Sequence, residues 1–333
     1  MNLAPFLKNL TLSILAMLLI LTLLVVTAVM WMSAMPGTPT PAQNNLSDKA
    51  LAERLESHVK ALAYERNVRH ADTLDRAAAY IENELKRYGY EVTSQWFDTA
   101  GVRVRNLVAT VPAELTDAPL VVVGAHYDSA PGTPGADDNA SGVAGLLEIA
   151  RELKSSNALR SKEIRLVFFS NEEPPYFRTQ FMGSYRYADM LVRERRAVEA
   201  MLSLEMLGYY CDEPGCQRYP FPLSLAFPDR GNFIGFVGNI ASRNLTRRVV
   251  ERFRRHASIA SEGVSAPAFI PGIDYSDQQW FWAFGYPAVM VTDTSFMRYS
   301  HYHRPTDTPE KLDYRRMSQA VEALAKTIAD LAA

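Results

Sequence analysis

The feature of this chain that most limits its fold is an apolar segment close to the amino terminus. No charged residue lies between Lys8 and Asp48, and Leu10–Met32 is almost wholly apolar. A helix needs ~20 such residues to cross the hydrocarbon of a bilayer, whereas the apolar part of a cleaved signal peptide has only about 7 to 15. The segment therefore predicts an uncleaved transmembrane helix over residues 10–32. A cleaved signal peptide and a buried core helix are the alternatives.

The charges around this segment indicate how the chain is oriented. Lys8 is the nearby positive side chain, and the next lysine is Lys49, so the tendency of positive charge to stay inside favours residues 1–9 as a short cytoplasmic tail. Residues 33–47 are rich in proline and polar side chains, which is the composition of a linker. Residues 48–333 are then expected to form a single domain on the periplasmic or extracellular side of a single-pass membrane helix.

Behind the linker, short apolar runs alternate with segments whose apolar residues recur at helical spacing. This alternation is typical of an α/β domain in which helices cover both faces of a largely parallel sheet. The sequence therefore predicts a three-layer α/β/α domain with a mostly parallel central sheet. The predicted helices are Asp48–Ala63, Ala71–Tyr88, Ser141–Leu153, Gly183–Glu199, Arg243–Ala257 and Leu312–Ala332. The predicted strands are Arg103–Val111, Leu120–Val123, Ile164–Phe169, Leu202–Glu205 and Ala288–Val291.

Charge limits the partners of the chain. The 35 lysines and arginines against 37 aspartates and glutamates give a net charge of -2. This balance argues against nucleic acid as a partner, because proteins that bind it usually carry a basic excess. The densest basic run lies in one predicted helix and predicts a solvent-exposed helix face, with contact to anionic lipid headgroups as the alternative. Its members are Arg247, Arg248, Arg252, Arg254 and Arg255.

Several kinds of chemistry have no motif in the sequence. There is no Gly-x-Ser-x-Gly elbow, no Walker A loop and no His-Glu-x-x-His helix, which argues against serine hydrolases, NTPases and thermolysin-type enzymes. The two cysteines, Cys211 and Cys216, are too few for a disulfide scaffold. In an oxidising space they can form a short-loop disulfide, and two free thiols are the alternative.

Imidazoles and carboxylates follow several of the predicted strands. The carboxyl ends of parallel strands meet at one edge of a sheet, where the ligand sites of α/β proteins lie. Crowded carboxylates repel one another unless a cation compensates them, and imidazole and carboxylate are ligands that catalytic zinc takes. A pair of zinc ions further needs a bridging carboxylate. The residues that can form such a site are His126, Asp128, Asp138, Glu172, Glu173, Glu205 and His303.

Five local motifs around these residues resemble those of one family. They are His126-Tyr127-Asp128-Ser129, Gly135-Ala136-Asp137-Asp138-Asn139-Ala140-Ser141-Gly142, Asn171-Glu172-Glu173, Gly183-Ser184 and Tyr302-His303-Arg304-Pro305-Thr306-Asp307-Thr308. Together they resemble the co-catalytic di-zinc peptidases, which include the bacterial leucyl aminopeptidases and glutamate carboxypeptidase II. The resemblance runs from about Asp48 to the carboxyl terminus. It implies that residues 48–333 are the single catalytic domain of a zinc aminopeptidase with a phosphorylase/hydrolase-like fold.

The resemblance also implies two zinc ions per chain and a ligand set for them. His126 and Glu205 would hold one zinc. Glu173 and His303 would hold the other, and Asp138 would bridge the two. Two cations of this kind lower the pKa of a shared water towards about 7, so that a metal-bridging hydroxide exists at neutral pH.

The remaining roles follow from the same resemblance. Glu172 would be the general base that takes the proton of the water and returns it to the leaving amine. Asp128 would accept a hydrogen bond from the far nitrogen of His126 and so orient that ligand. The implied substrates are peptides with a free amino terminus, which lose their first residue. A related zinc hydrolase, a glutaminyl cyclase-type acyl transferase and a non-catalytic, receptor-like ectodomain are the alternatives.

The chain departs from the family pattern at several positions. Glu205 stands where aspartate is more common, and Gln278 stands where histidine is usual. The aromatic insertion Tyr209–Phe227 matches no motif and leaves the choice of substrate open. Tyr275 is a candidate for hydrogen bonding to the oxyanion. Because the peptide after the bridging aspartate is commonly cis in this family, the resemblance implies a cis bond between Asp138 and Asn139.

Overall fold

The computed structural model describes residues 4–39, 48–156 and 160–333, with side chains from residue 7 onward. Within these ranges, the long apolar helix α1 (Ala4–Ser33) precedes an α/β domain. Its segment Leu7–Ser33 is long and apolar enough to cross a membrane, and most of its side chains face outward. Residues 40–47 of the predicted linker lie outside the described residues.

One mixed sheet forms the centre of the domain, with the strand order β1-β2-β4-β3-β5-β8-β6-β7. The strands are β1 (Val92–Thr99), β2 (Val102–Val111), β3 (Leu120–His126), β4 (Glu163–Phe169), β5 (Val198–Glu205), β6 (Phe233–Gly238), β7 (Ala260–Ser265) and β8 (Ala288–Thr292). Strands β4, β3, β5 and β8 are parallel neighbours. Antiparallel pairs extend the sheet on both sides, β2 beside β4 and β6 beside β8. Every residue of β3 is buried, as expected for a central, valine-rich strand.

Helices cover both faces of this sheet. They are α2 (Lys49–Leu62), α3 (Ala71–Arg87), α4 (Gly142–Ser155), α5 (Gly183–Arg193), α6 (Arg243–His256), α7 (Gln278–Ala283) and α8 (Tyr314–Ala332). One face carries α2, α3, α4, α6 and α8, and the other carries α5 and α7. Alternate residues of β3 show the division, since Val121 and Val123 pack on the first face and Leu120 and Val122 on the second. The predicted three-layer α/β/α class is confirmed, with a sheet that is more mixed than expected.

Some segments differ from the predictions. The helix predicted over Gly183–Glu199 ends at Arg193, because the chain turns at Arg195, which has a φ of 54°, and Val198 then begins β5. Strands β1, β6 and β7 and the short helix α7 were not predicted. The reason is that short strands with polar or glycine-containing sequences near a sheet edge carry little apolar periodicity.

The carboxyl-terminal turns of α1 pack against the domain. Val29 and Met32 are buried in an apolar cluster with Leu223, Val264 and Ile273. Strand β7, which contributes to this cluster, is the last strand at that edge of the sheet. The end of the apolar helix is therefore part of the packing of the domain.

Arginines of α6 bind the backbone at the end of α1. Arg243, Arg247 and Arg254 donate hydrogen bonds to the carbonyl oxygens of Trp31, Ala34, Pro36 and Gly37. Those from Arg254 are 2.8 Å long, and the guanidinium of Arg243 also lies over the ring of Trp31. Trp31 lies in the last turn of α1, where the carbonyls have no partner inside the helix and carry the negative end of its dipole, so a guanidinium group stabilises them. The other three carbonyls belong to the chain just beyond the helix. The prediction of a merely solvent-exposed arginine face is therefore wrong for Arg247 and Arg254.

Cys211 and Cys216 form a disulfide in the aromatic segment that follows β5. Of the two alternatives that the sequence left open, the paired form is the one present. The backbone N–H of Cys211 donates to the carbonyl of Gly231, so the bridged loop lies against the chain that leads into β6.

The contacts between α6 and the end of α1 lead to a first prediction. Replacing Arg243 and Arg254 together by alanine is expected to speed hydrogen exchange of the amides in residues 31–38 about 10-fold or more. The reason is the loss of several hydrogen bonds that each contribute about 1 kcal/mol to the closed state. Exchange is measured by mass spectrometry on the full chain in detergent micelles. Arg255→Ala, on the exposed side of the same helix, is the matched control, and unchanged exchange in the double variant would contradict the contact.

Candidate metal centre

Three neighbouring parallel strands bring the first site residues together. His126 is the last residue of β3, Glu205 is the last residue of β5, and Glu172 and Glu173 come three and four residues after the end of β4. Since the three strands are parallel and adjacent in the order β4-β3-β5, their carboxyl ends lie at one edge of the sheet. All four side chains are buried there.

Asp138 lies between two imidazole–carboxylate pairs. Its Oδ1 is 3.4 Å from Nε2 of His126, which is itself 3.2 Å from Oε2 of Glu205. Its Oδ2 is 3.0 Å from Nε2 of His303, which is also 3.0 Å from Oε2 of Glu173. The two oxygens of the Asp138 carboxylate thus face different imidazole–carboxylate pairs. The five residues that the family resemblance assigns as ligands are all in this cluster.

The turn that carries Asp138 is held from several sides. The peptide between Asp138 and Asn139 is cis, as the resemblance implied. Asn139 donates to the carbonyl of Leu204 and its Oδ1 accepts from the amide of Met206, so the turn is joined to the end of β5. Gly135 precedes the turn with a φ of 60°, and a Cβ there would lie 2.3 Å from the carbonyl oxygen of Asp138. Only glycine fits that position.

Two residues that support the turn were not assigned from the sequence. Asp307 accepts hydrogen bonds from the backbone N–H groups of Asp137 and Asp138, and the hydroxyl of Tyr299 donates to it at 2.8 Å. Its position in the Tyr-His-x-Pro-x-Asp-Thr motif was the available signal. Arg66 is fully buried, and its guanidinium donates to backbone carbonyls that include those of Tyr127 and Gly135. A lone arginine after a helix carries no sequence signal of this kind.

Asp128 joins the ends of β3 and β4. Its two oxygens accept from the backbone N–H groups of Glu172 and Glu173, both at 3.1 Å. Its Oδ1 lies 3.5 Å from Nδ1 of His126, which is longer than an ordinary hydrogen bond. Asp128 is therefore hydrogen-bonded mainly to the segment that carries the two glutamates, and its contact with His126 is the longer one.

Glu172 is close to the cluster but belongs to neither of the two imidazole–carboxylate pairs. Its Oε2 is 4.0 Å from Nε2 of His126. On the other side of the site, the hydroxyl of Ser276 donates to Glu205 at 2.5 Å and so orients this carboxylate. His301 lies apart and hydrogen-bonds Thr306, which leaves His303 as the imidazole of this loop in the site.

The electrostatics of the cluster fit divalent cations. Burial alone would lower the pKa of His126, yet Glu205 and the other carboxylates raise it well above its usual value. Burial and the neighbouring Asp138 raise the pKa of Glu173 to about 8. Burial also raises the pKa of Glu172 well above its usual value, with Glu173 and Glu205 adding to the rise. Such acids are too crowded to be ionised together without positive charge between them.

Unpartnered atoms point the same way. Among the described residues, Nε2 of His126 and Oε1 of Glu173 are buried with no hydrogen-bond partner. Buried polar atoms are normally satisfied, so atoms without a partner at a converging set of imidazoles and carboxylates suit a metal. The groups that could hold an ion are His126 with Asp138 and Glu205, His126 with Glu172 and Glu173, and Asp138 with Glu173 and His303. The first and third share only Asp138, and together they contain all five assigned ligands.

Known proteins resemble this chain over most of its length. The family model that matches it, over residues 106–328, is that of peptidase family M28. The Escherichia coli protein YfbL is 42% identical over 307 residues, which are 88% of this chain and 90% of that protein. Aminopeptidase YwaD of Bacillus subtilis is 28% identical over 221 residues, 65% of this chain, and the match spans only 42% of its length.

A solved structure shows the same fold. The zinc aminopeptidase BSAP from Bacillus subtilis superposes with a TM-score of 0.64 at 16% identity, over 84% of this chain and 95% of that chain. The family and the aminopeptidases that resemble this chain confirm the expectation of a hydrolase of the metallo-aminopeptidase type. Since the family model matches more than half of the chain, and a relative at 42% identity covers most of it, the chain belongs to peptidase family M28.

Proposed function

We propose that the protein is a membrane-anchored, zinc-dependent aminopeptidase that hydrolyses the first residue from peptides with a free amino terminus. The observation that carries this proposal is the position of Asp138, whose two oxygens face separate imidazole–carboxylate pairs. A structural hydrogen-bond network has no need for such symmetry, whereas a pair of metal ions does. The proposal includes the grouping with leucyl aminopeptidases that the motifs suggest.

The residues present fit two zinc ions per chain. In this assignment His126 and Glu205 hold one ion, Glu173 and His303 hold the other, and Asp138 holds both. Zinc bound there supplies Lewis-acid activation of a water and of the scissile carbonyl. The carboxylates around it also suit the positive α-amine of a peptide, which favours cleavage at the amino terminus.

Glu172 is the residue placed to move the proton. It is next in sequence to Glu173, and its carboxylate lies close to His126 and Glu173. It is not part of either of the two candidate ligand groups that share Asp138. Its Oε2 takes the proton of the attacking water and returns it to the nitrogen of the leaving amine. Asp128 positions this base through the amide of Glu172.

Helix α1 supports a permanent membrane anchor with the domain on the periplasmic or extracellular side. Its composition allows a signal sequence as well. The burial of Val29 and Met32 and the hydrogen bond from Arg243 to the carbonyl of Trp31 favour retention, because cleavage near Ala34 would remove groups that the domain packs against. The disulfide between Cys211 and Cys216 suits an oxidising compartment.

Retention of the anchor is checked by intact-mass spectrometry of protein from the membrane fraction. The expected mass includes residues 10–32, since the end of α1 contributes to the packed domain. A mature chain that starts near Met35 would instead support a cleaved signal peptide.

The role of Glu172 predicts a specific loss. Glu172→Gln is expected to lower kcat for leucine p-nitroanilide about 10²- to 10⁴-fold, because the amide cannot accept the proton of the water. Zinc content, measured by plasma mass spectrometry, is expected to be unchanged. Glu251→Gln, on the exposed side of α6, is the matched control. Activity that survives the Glu172 substitution would refute the general-base assignment.

The ligand assignment predicts a stoichiometry. The full chain is expected to bind two zinc ions and to lose hydrolysis with a chelator, and His303→Ala is expected to lower the count towards one. His301→Ala, two residues away and outside the cluster, is the control that keeps both ions. One zinc with cyclisation of amino-terminal glutamine would favour a glutaminyl cyclase. No zinc and no turnover would favour a receptor-like ectodomain.

A further inference from the structure

A cleft opens beside the metal centre, and its empty space, counted together with the part that is open to solvent, is about 690 Å³. At one end it is lined by Glu205 and by Tyr302, whose ring stacks on that of His303 with 3.9 Å between centroids. Most of its other walls are apolar or aromatic, and they include Tyr219, Leu223, Phe227, Tyr275 and Phe296. One acidic residue outside the metal centre, Glu262 on β7, also lines it.

Strand pairing places the two glutamates at opposite ends of one row. Glu205 pairs with Thr292, Thr292 pairs with Gly235, and Gly235 pairs with Glu262, so the row crosses β5, β8, β6 and β7. Side chains of paired residues point to the same face of a sheet. At ~4.8 Å between neighbouring strands, the Cα atoms of Glu205 and Glu262 lie about 14 Å apart.

The middle of this row is kept open by glycine. A Cβ at Gly235 would lie 3.2 Å from the carbonyl oxygen of Thr292 and 3.5 Å from Cγ2 of Thr294. Any side chain at this position would project into the space between the two carboxylates. The row therefore has acidic ends, with the small side chain of Thr292 and the bare backbone of Gly235 between them.

Glu262 has no hydrogen-bond or ion-pair partner among the residues that the structure describes. Arg254 is the nearby cation, but its guanidinium donates to Ser261, Pro36 and Gly37. Burial raises the pKa of Glu262, with Arg254 partly opposing the rise. A carboxylate in this environment gains from a cation that enters the cleft.

We propose that this cleft receives the side chain of the substrate's first residue and selects lysine or arginine there. The methylene stem lies along the aromatic walls and the cationic head pairs with Glu262. Leucine occupies only the part near the metal centre and leaves the carboxylate unpaired. The inference rests on the proposed aminopeptidase function, because the α-amine and the scissile bond of the substrate then lie at the metal centre.

The test compares lysine and leucine p-nitroanilides with the zinc-loaded full chain. The wild-type protein is expected to have the larger kcat/KM for lysine. Glu262→Gln is expected to lower the lysine-to-leucine ratio of kcat/KM about 10- to 100-fold, as for loss of a charge-assisted hydrogen bond. Glu262→Asp, which keeps the charge on a shorter arm, is expected to restore part of the ratio. Glu251→Gln on α6 is the matched charge control and is expected to leave the ratio unchanged.

Binding separates this inference from the proposed function. Calorimetry with lysine amide and leucine amide is carried out on the same variants. A protein that prefers lysine amide, loses this preference in Glu262→Gln and cleaves neither nitroanilide would keep the inference and overturn the aminopeptidase proposal. Hydrolysis with no preference for lysine, or a ratio that Glu262→Gln leaves unchanged, would overturn the inference and leave the proposed function standing.

Discussion

The sharing of one carboxylate between two imidazole–carboxylate pairs is the constraint on which the rest of the structure depends. Asp138 can face both pairs only if the ends of β3, β4 and β5 and the loop after β8 meet at one point. The turn that carries it is held by the carboxylate of Asp307, by Asn139 and by the buried guanidinium of Arg66. Much of the polar interior thus positions a single side chain, since a misplacement of about 1 Å would disrupt such a centre.

The apolar helix α1 and the cleft are parts of one packed region. Leu223, Val264 and Ile273 line the cleft on one side and pack with Val29 and Met32 of α1 on the other. The arginines of α6 hold the chain as it leaves α1, so this helix is joined to the domain by more than the segment that follows it. If α1 spans a bilayer, the orientation of the cleft relative to the membrane surface follows from this packing.

Much of the metal centre could be predicted because its signals are local. Glu172 and Glu173 are adjacent, and His126 and Asp128 are two residues apart. Such short motifs can be recognised without knowing how the rest of the chain folds. Arg66 could not be found in this way, because its partners are backbone carbonyls. Every residue type has a backbone carbonyl, so the sequence does not show which ones the arginine binds. The edge strands were missed for a related reason, since half-buried strands show little apolar pattern.

The sequence by itself determined the class of the molecule: an apolar helix followed by an α/β domain with imidazoles and carboxylates after its strands. Composition and periodicity are properties of the chain, so they can be read without coordinates. Only the tertiary structure decided which groups face one another, including the row from Glu205 to Glu262 across strands that are distant in sequence. It also decided that the arginines of α6 bind the end of α1, because long-range pairing depends on how strands and helices are arranged in space.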